Sequence, residues 1–581
     1  MENLLIQGGM VVDGTGAPAR RADIRLRNGR IAAIGPDLKP ENGERAFDAS
    51  GCFVAPGFIE SHTHYDGTMW WQPDLDPLPG YGVTTAIMGN CGFSAAPISD
   101  DAGVRAEIAK IFSFFEDIPE KPFLNELPWD WRTWSEYKQS MTSRLRIAAN
   151  YGAFVGHLAI RLAVMGHAAW ERAATADEIA RMVALLEDAL DAGAMGLSTN
   201  LLDHDGAGRP VPTFKADDAE WTALIATLAR YKGVSMEVAL DTVIHLTAAQ
   251  SIRKLAKLCE GHDVRVQWAG GVPTLKFQAA ILPELKALHE DFKRDGKDYW
   301  AGYAHVPITS VINIRASLIF AQSDDFAWHE IVQADSDDDK LALLRDSAWR
   351  ARARESWDHK AVKHSPFGSP QNLLLLDSAN GAGPVNLSVV DLARRRGVHP
   401  SDAMADWFIE NGLDSTVHMA PFEMIDDAVA DLLRDPKSVG NISDAPAHGQ
   451  MFCGGGYNMI LFDEWVKGKR EISVEAAVHI QTGKLADYFN LTDRGVLAVG
   501  KRADITVFNL DEIQMRDMEK VRDVPNGDGG MTWRWTRKPA PVRLTLVNGE
   551  PTFENGAFTG AFPGEMVSPT LLNPARSGSG A

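Results

Sequence analysis

The sequence predicts an α/β fold: a (β/α)8 TIM-like barrel carrying a small β-sandwich domain built from both chain ends. Two observations carry this. Both termini read as short strands with glycine turns, whereas the middle alternates amphipathic helices with apolar runs of strand length. The chain of 581 residues is also too long for one small core and long enough for a barrel plus a smaller unit.

At the N-terminus, "LLIQGGMVVDG", "ADIRLRNGRIAAIG" and "FDASGCFVAPGF" are short apolar pieces broken by Asn-Gly and other glycine turns. The far end repeats this texture in "GKRADITVFNL" (500–510) and "VRLTLVNGEPTFENGAF" (542–558). The expected organisation is therefore 1–55 as the first part of the β-sandwich and 56–490 as the barrel. Residues 491–562 form the second part, and 563–581 a tail whose end, "PARSGSGA", reads as disordered. Within the barrel, 271–410 is too long for a simple connection and is expected to hold helices and a lid over the mouth.

Seven barrel strands are expected: one ending at His62, then 82–90, 151–157, 193–200, 233–240, 415–422 and 438–446. The eighth is either 263–270 or 299–307. Between them, "TADEIARMVALLEDALDAGAMGLS" shows helical periodicity with acidic residues in the first turn and a glycine exit into a strand.

Composition narrows the class. A 45% hydrophobic, 23% charged chain with no apolar run long enough for a bilayer predicts no membrane partner. The start, "MENLLIQGGMVVDGTG", lacks a basic and then apolar leader, so a cytoplasmic location is expected. A formal charge of −20 repels polyanions and argues against nucleic acid. Cys52, Cys91, Cys259 and Cys453 form no C-x-x-C pair, so neither a disulfide scaffold nor a zinc finger is indicated.

Chemistry-bearing residues fall where barrels place them, at the C-terminal ends of strands. His62 and His64, one residue apart after the run 58–61, share a strand face and converge. Alone, such a pair is more often a chance surface feature. Cys91 ends the second strand and is a plausible thiolate ligand, with a buried structural cysteine as the competing reading. His157 ends the third, as a substrate or metal contact or a hydrogen-bonded core histidine. Asp444 ends the eighth, where it could bind metal, shuttle protons or simply form a turn. His448, four residues on, could orient that carboxylate or face solvent. Trp70 and Trp71 follow the histidine pair and read as pocket wall or as packing. A catalytic divalent metal needs about three such donors and an open position, and their joint placement favours one.

The phrases "VAPGFIESHTHYDGTMWW", "GVTTAIMGNCGFSAAP", "VGHLAIRLAVMG", "ISDAPAHG" and "ISVEAAVHIQTGKLADYFNLTDRGVLAVGKRADITVFN" closely resemble the amidohydrolase superfamily, and within it the N-acyl-D-amino-acid deacylase (D-aminoacylase) group. The resemblance implies zinc, as one or two divalent ions, bound by His62, His64, Cys91 and Asp444, with Cys91 able to bridge two ions and Asp444 as proton shuttle. It implies a metal-dependent hydrolase of linear amides, deacylating N-acyl-(D-)amino acids, with a small-molecule amide as partner and a possible homo-oligomer. In that group two further histidines come from the fifth and sixth strands. Here those strands read "GVSMEVALD" and "VRVQWAGG", which leaves Met236, Glu237 or Gln267 at those positions, or His305 or His245 as substitutes. A cyclic-amide, xenobiotic or natural-product amide or ester hydrolase on the same barrel, and a non-catalytic binding protein, are the alternatives.

Overall fold

A computed structural model describes residues 3–203, 209–242, 246–307, 310–312, 314–315, 327–362, 373–419, 422–440 and 443–572. The "PARSGSGA" end lies outside these residues. Eight parallel strands form the barrel: β1 (Phe58–Glu60), β2 (Val83–Met88), β3 (Asn150–Ala153 and Val155–Gly156), β4 (Gly196–Leu201), β5 (Ser235–Leu240), β6 (Arg265–Ala269), β7 (Tyr299–Gly302) and β8 (Ser438–Val439). Ladders join β1 to β2 to the first part of β3, and the second part of β3 through β4 to β8 in turn. The seam between β8 and β1 is closed by single bonds: the Ser61 hydroxyl donates to the Gly440 carbonyl at 2.7 Å and the His64 N–H to that of Ala445 at 2.8 Å.

Two expectations change. Both 263–270 and 299–307 contribute barrel strands, whereas 415–422 does not: Thr416–Met419 belongs to a separate antiparallel sheet, between Ser310–Ile312 and Leu373–Asp377. Because β7 lies inside 271–410, the long insertion starts only after Gly302 and runs on to β8. A short apolar run reveals that it pairs, but not with which sheet.

Several helices on the barrel position the site: α1 (Ala102–Glu116), α2 (His157–Met165), α3 (Ala176–Asp191) and α4 (Asp218–Leu228). The start of α3 shows why these segments are helical. The Thr175 hydroxyl accepts the Glu178 N–H and the Glu178 carboxylate accepts the Thr175 N–H at 2.7 Å, satisfying donors that a helix start leaves open. Below, Ile59, Ile87, Phe154, Trp300 and Val439 pack against Leu485, Tyr488 and Phe489, which closes the lower barrel.

Both chain ends meet in the β domain. Ile505–Phe508 pairs antiparallel with Phe53–Pro56 in a seven-stranded sheet, and Asn3–Gln7 centres a four-stranded one. Leu4, Ile24, Val54, Ile505 and Leu544 share one core between them. Asn28-Gly29 and Asn548-Gly549 turn with both residues at positive φ, the hairpin geometry that favours this dipeptide. Among the described residues no helix is long and apolar enough to cross a membrane.

Candidate metal centre

At the C-terminal mouth of the barrel four of the expected residues come together. His62 and His64 follow β1, both buried. Cys91 follows β2 on a loop that runs close to the neighbouring strands. Gly89 has φ 74°, and a Cβ there would stand 2.6 Å from the Phe154 carbonyl, so the approach requires glycine. Cys91 Sγ lies 3.2 Å from His62 Nε2. Asp444 follows β8, tied by its N–H to the His62 carbonyl at 3.1 Å. Its Oδ1 stands 3.0 Å from His64 Nε2 and 3.5 Å from His62 Nε2. Cys91, Asp117, Asp444 and His448 all have φ between 52° and 60° without being glycine, a local cost tolerated where the surroundings impose the geometry.

Around these donors stands a second set. His448 Nε2 lies 3.5 Å from Asp444 Oδ2. Asp66 accepts the Gly89 N–H at 3.1 Å and so links the histidine loop to the cysteine loop. Glu237, on β5, accepts the Cys91 N–H at 2.9 Å through Oε2, while Oε1 is 4.0 Å from His62 Nδ1. Glu237 is in register with Gln267 on β6, and both are fully buried. Met236 instead packs in the apolar core.

Sequence reasoning missed Glu116. It closes α1 with its Oε1 3.6 Å from His64 Nε2 and Oε2 3.8 Å from His448 Nε2. The available signal was a charged residue on the apolar stripe of Ile108 and Phe112, at i, i+4 and i+8.

Other candidates lie elsewhere. His157 has both ring nitrogens engaged, Nδ1 with Thr199 Oγ1 at 3.0 Å and Nε2 with Glu220 Oε1 at 2.7 Å, and Glu220 also pairs with Arg161. His305 Nε2 meets the Tyr457 carbonyl at 3.2 Å. Trp70 stacks on Trp131, at 6.0 Å between ring centroids. Trp71 lines a cleft with Thr68, Asp117, Trp533 and Arg534, the last two from a C-terminal hairpin, Met518–Pro525 with Met531–Arg537. His245 lies outside the described residues.

The electrostatics suit a cation. Burial pushes Glu237 up to about 8 and Glu116 up to about 7, with the Asp444 charge adding to both. Burial, helped by Glu237, Glu116 and Asp444, holds the Cys91 thiol well above its usual range. Burial lowers His62 to about 4; it also opposes protonation of His64, but Glu116 and Asp444 outweigh it and carry His64 up to about 9. Nδ1 of His62, Nδ1 of His64 and Oε1 of Glu237 are buried without a hydrogen bond. Such crowding of acceptors is costly unless a positive charge sits among them. Tetrahedral donors at about 2.1 Å from one zinc stand about 3.4 Å apart, close to the separations observed. His62, His64 and Cys91 form one donor group, and His64, Glu116 and Asp444 a second.

Comparison with known proteins agrees with this architecture. A D-aminoacylase from Alcaligenes xylosoxydans xylosoxydans is 26% identical over 574 residues, covering 98% of each chain. An N-acyl-D-glutamate deacylase from the same organism is 29% identical over 523 residues, covering 88% of each. The crystal structure of N-acyl-D-glutamate deacylase from Bordetella bronchiseptica, complexed with zinc and a phosphonate inhibitor, superposes with a TM-score of 0.65 at 23% identity, covering 98% of this chain and 99% of that one, which shows the shared fold. The amidohydrolase family profile matches residues 45–317 and 330–553. With a barrel whose first strand leads into His62-x-His64 and whose eighth leads to Asp444, this chain belongs to the amidohydrolase family.

Proposed function

We propose that this protein is a zinc-dependent amidohydrolase that deacylates N-acyl-amino acids, with preference for the D series. The observation that carries the reading is the convergence of His62, His64, Cys91 and Asp444 at the barrel mouth. The D preference is supported by the relatives' names, a D-aminoacylase and an N-acyl-D-glutamate deacylase.

His62, His64, Cys91 and Asp444 would hold the metal, which when bound supplies Lewis acidity and lowers the pKa of water. Asp444 has 32% of its side chain exposed, against 5% for His62 and none for His64, so it can reach substrate as well as solvent. Its two oxygens are aimed by different imidazoles, His64 at Oδ1 and His448 at Oδ2. It therefore acts as the base that takes a proton from the attacking water and as the acid that returns it to the leaving amine nitrogen. Glu237 fixes the Cys91 backbone and so the direction of the thiol. Trp71, beside Asp117 in the cleft, offers an apolar wall for the acyl group.

The test is elemental analysis of purified protein together with amine release from N-acetyl-D- and N-acetyl-L-amino acids. Bound zinc and D-selective release, lost about 100-fold or more in a folded Asp444→Asn variant, is the expected result. Metal-free protein that added zinc does not activate, or full activity in Asp444→Asn, overturns the reading.

A further inference from the structure

We propose that Glu116 is a metal ligand, the donor by which α1 supplies what β5 and β6 do not. This rests on the metal-dependent reading above.

The side chain is placed as a ligand is, not as a surface acid. Glu116 continues the buried stripe of α1 formed by Ile108 and Phe112, and only 4% of it is exposed. An amphipathic helix ends such a stripe with an apolar residue unless the carboxylate has a partner to meet. Asp117 then turns into the left-handed region, and the Glu116 carbonyl accepts the His448 N–H at 2.5 Å. The helix end is thereby fixed against the loop that carries Asp444.

The donor geometry follows from that anchoring. His64 Nε2 stands 3.0 Å from Asp444 Oδ1 and 3.6 Å from Glu116 Oε1, and one donor atom from each residue fits within a common 4.8 Å. These separations bracket the roughly 3.4 Å between donors sharing one zinc. His64 is fully buried, its Nδ1 has no hydrogen-bond partner, and its Nε2 faces the two carboxylates together, Asp444 and Glu116, as a nitrogen in a shared donor set would.

The other strands offer less. Glu237 has one oxygen committed to the Cys91 N–H, Gln267 carries only a neutral amide, and His305 is turned to the Tyr457 carbonyl. A carboxylate is the stronger donor for a hard or borderline cation. The competing role for Glu116 is that of a charge partner for His64 and His448 with no metal contact, and this predicts different behaviour of metal-free protein.

The experiment measures zinc affinity by competition with a chromophoric chelator, the visible spectrum of the Co(II)-loaded protein, and melting of the metal-free protein, for wild type and Glu116→Gln. A ligand role predicts at least tenfold weaker zinc binding and altered Co(II) ligand-field bands. The thiolate charge-transfer band from Cys91 should be kept, with no fall in metal-free melting temperature. Zinc affinity within twofold of wild type and an unchanged Co(II) spectrum overturn it, as does a metal-free melting point that falls while affinity holds. If Glu116→Gln does not fold, Glu116→Asp, which keeps the charge but withdraws it by one methylene, carries the same affinity comparison. Wild type that binds no metal overturns the parent reading as well, whereas loss confined to Glu116 variants upholds both.

Discussion

Glu237 on β5 grips the backbone N–H of Cys91, at 2.9 Å, across the barrel mouth. A buried carboxylate from one strand thus sets where the thiol at the end of another can point, and its second oxygen faces His62 at 4.0 Å without a hydrogen bond. Groups that orient metal ligands typically cost 10–100-fold in metal affinity or activity when removed. Glu237→Ala should weaken zinc binding by about that factor, while Glu237→Gln, which keeps an acceptor, should lose less. Chelator competition reads both; wild-type affinity in the alanine variant removes Glu237 from any positioning role.

Thiol labelling provides a second check. Cys52, Cys259 and Cys453 are buried, and Cys91 alone among the four is partly exposed. Metal-loaded protein should resist a thiol reagent, because a coordinated thiolate is no longer a free nucleophile. Chelated protein should react slowly at a single cysteine, and chelated Cys91→Ala at none. Equal labelling with and without metal means that Cys91 is not a ligand.

The triad His157–Glu220–Arg161 is wholly buried, with Glu220 bonded to both partners. Removing one partner from a buried ionic group leaves an uncompensated charge and costs about 3–5 kcal/mol. Glu220→Ala should lose that much stability by denaturant titration and keep its KM, with activity falling only as the folded fraction falls. A raised KM in well-folded protein would instead place the triad in contact with substrate.

These three cases show what a linear sequence can disclose. His62 and His64 are legible because their relation is local, and Cys91 and Asp444 because barrel strands deliver their ends to one place. The Asn-Gly turns at 28–29 and 548–549 are legible because few dipeptides accept two positive φ values. The run 415–422 reads as a barrel strand because a short apolar run shows that it pairs without saying with which sheet. Glu116 was hidden for a different reason: its meeting with His64 and His448 depends on where α1 ends against a loop far away in sequence. For His157 the sequence leaves a site contact and a hydrogen-bonded core histidine both open, because α4 and its Glu220 cannot be placed opposite it from sequence; its two bonded nitrogens match the core reading.

Acid stability should be set in part by Asp435, which secures the lower end of the strand leading to Asp444. Its Oδ1 accepts the Lys437 N–H at 2.7 Å, and its Oδ2 accepts from Lys293 at 2.5 Å and lies 3.2 Å from His289. The Lys484 ammonium bonds the Asp435 carbonyl at 2.7 Å and Ser438 of β8 at 2.8 Å. Burial alone would raise this carboxyl, but the bonds from His289, Lys293 and the Lys437 amide prevail and hold it well below its ordinary range. A folded pKa below the unfolded value of about 3.9 means stability that is fully present above that pH and lost as pH falls towards the folded value. Asp435→Asn should therefore be less stable at pH 7 by about 1.5–3 kcal/mol, the usual worth of hydrogen bonds to a charged group. The gap to wild type should narrow steadily below about pH 4, because protonation makes the wild-type side chain as neutral as the amide. Urea titrations of both proteins from pH 7 to pH 3 decide the matter: a gap constant across that range would show that Asp435 stabilises β8 by shape and neutral hydrogen bonding rather than by charge.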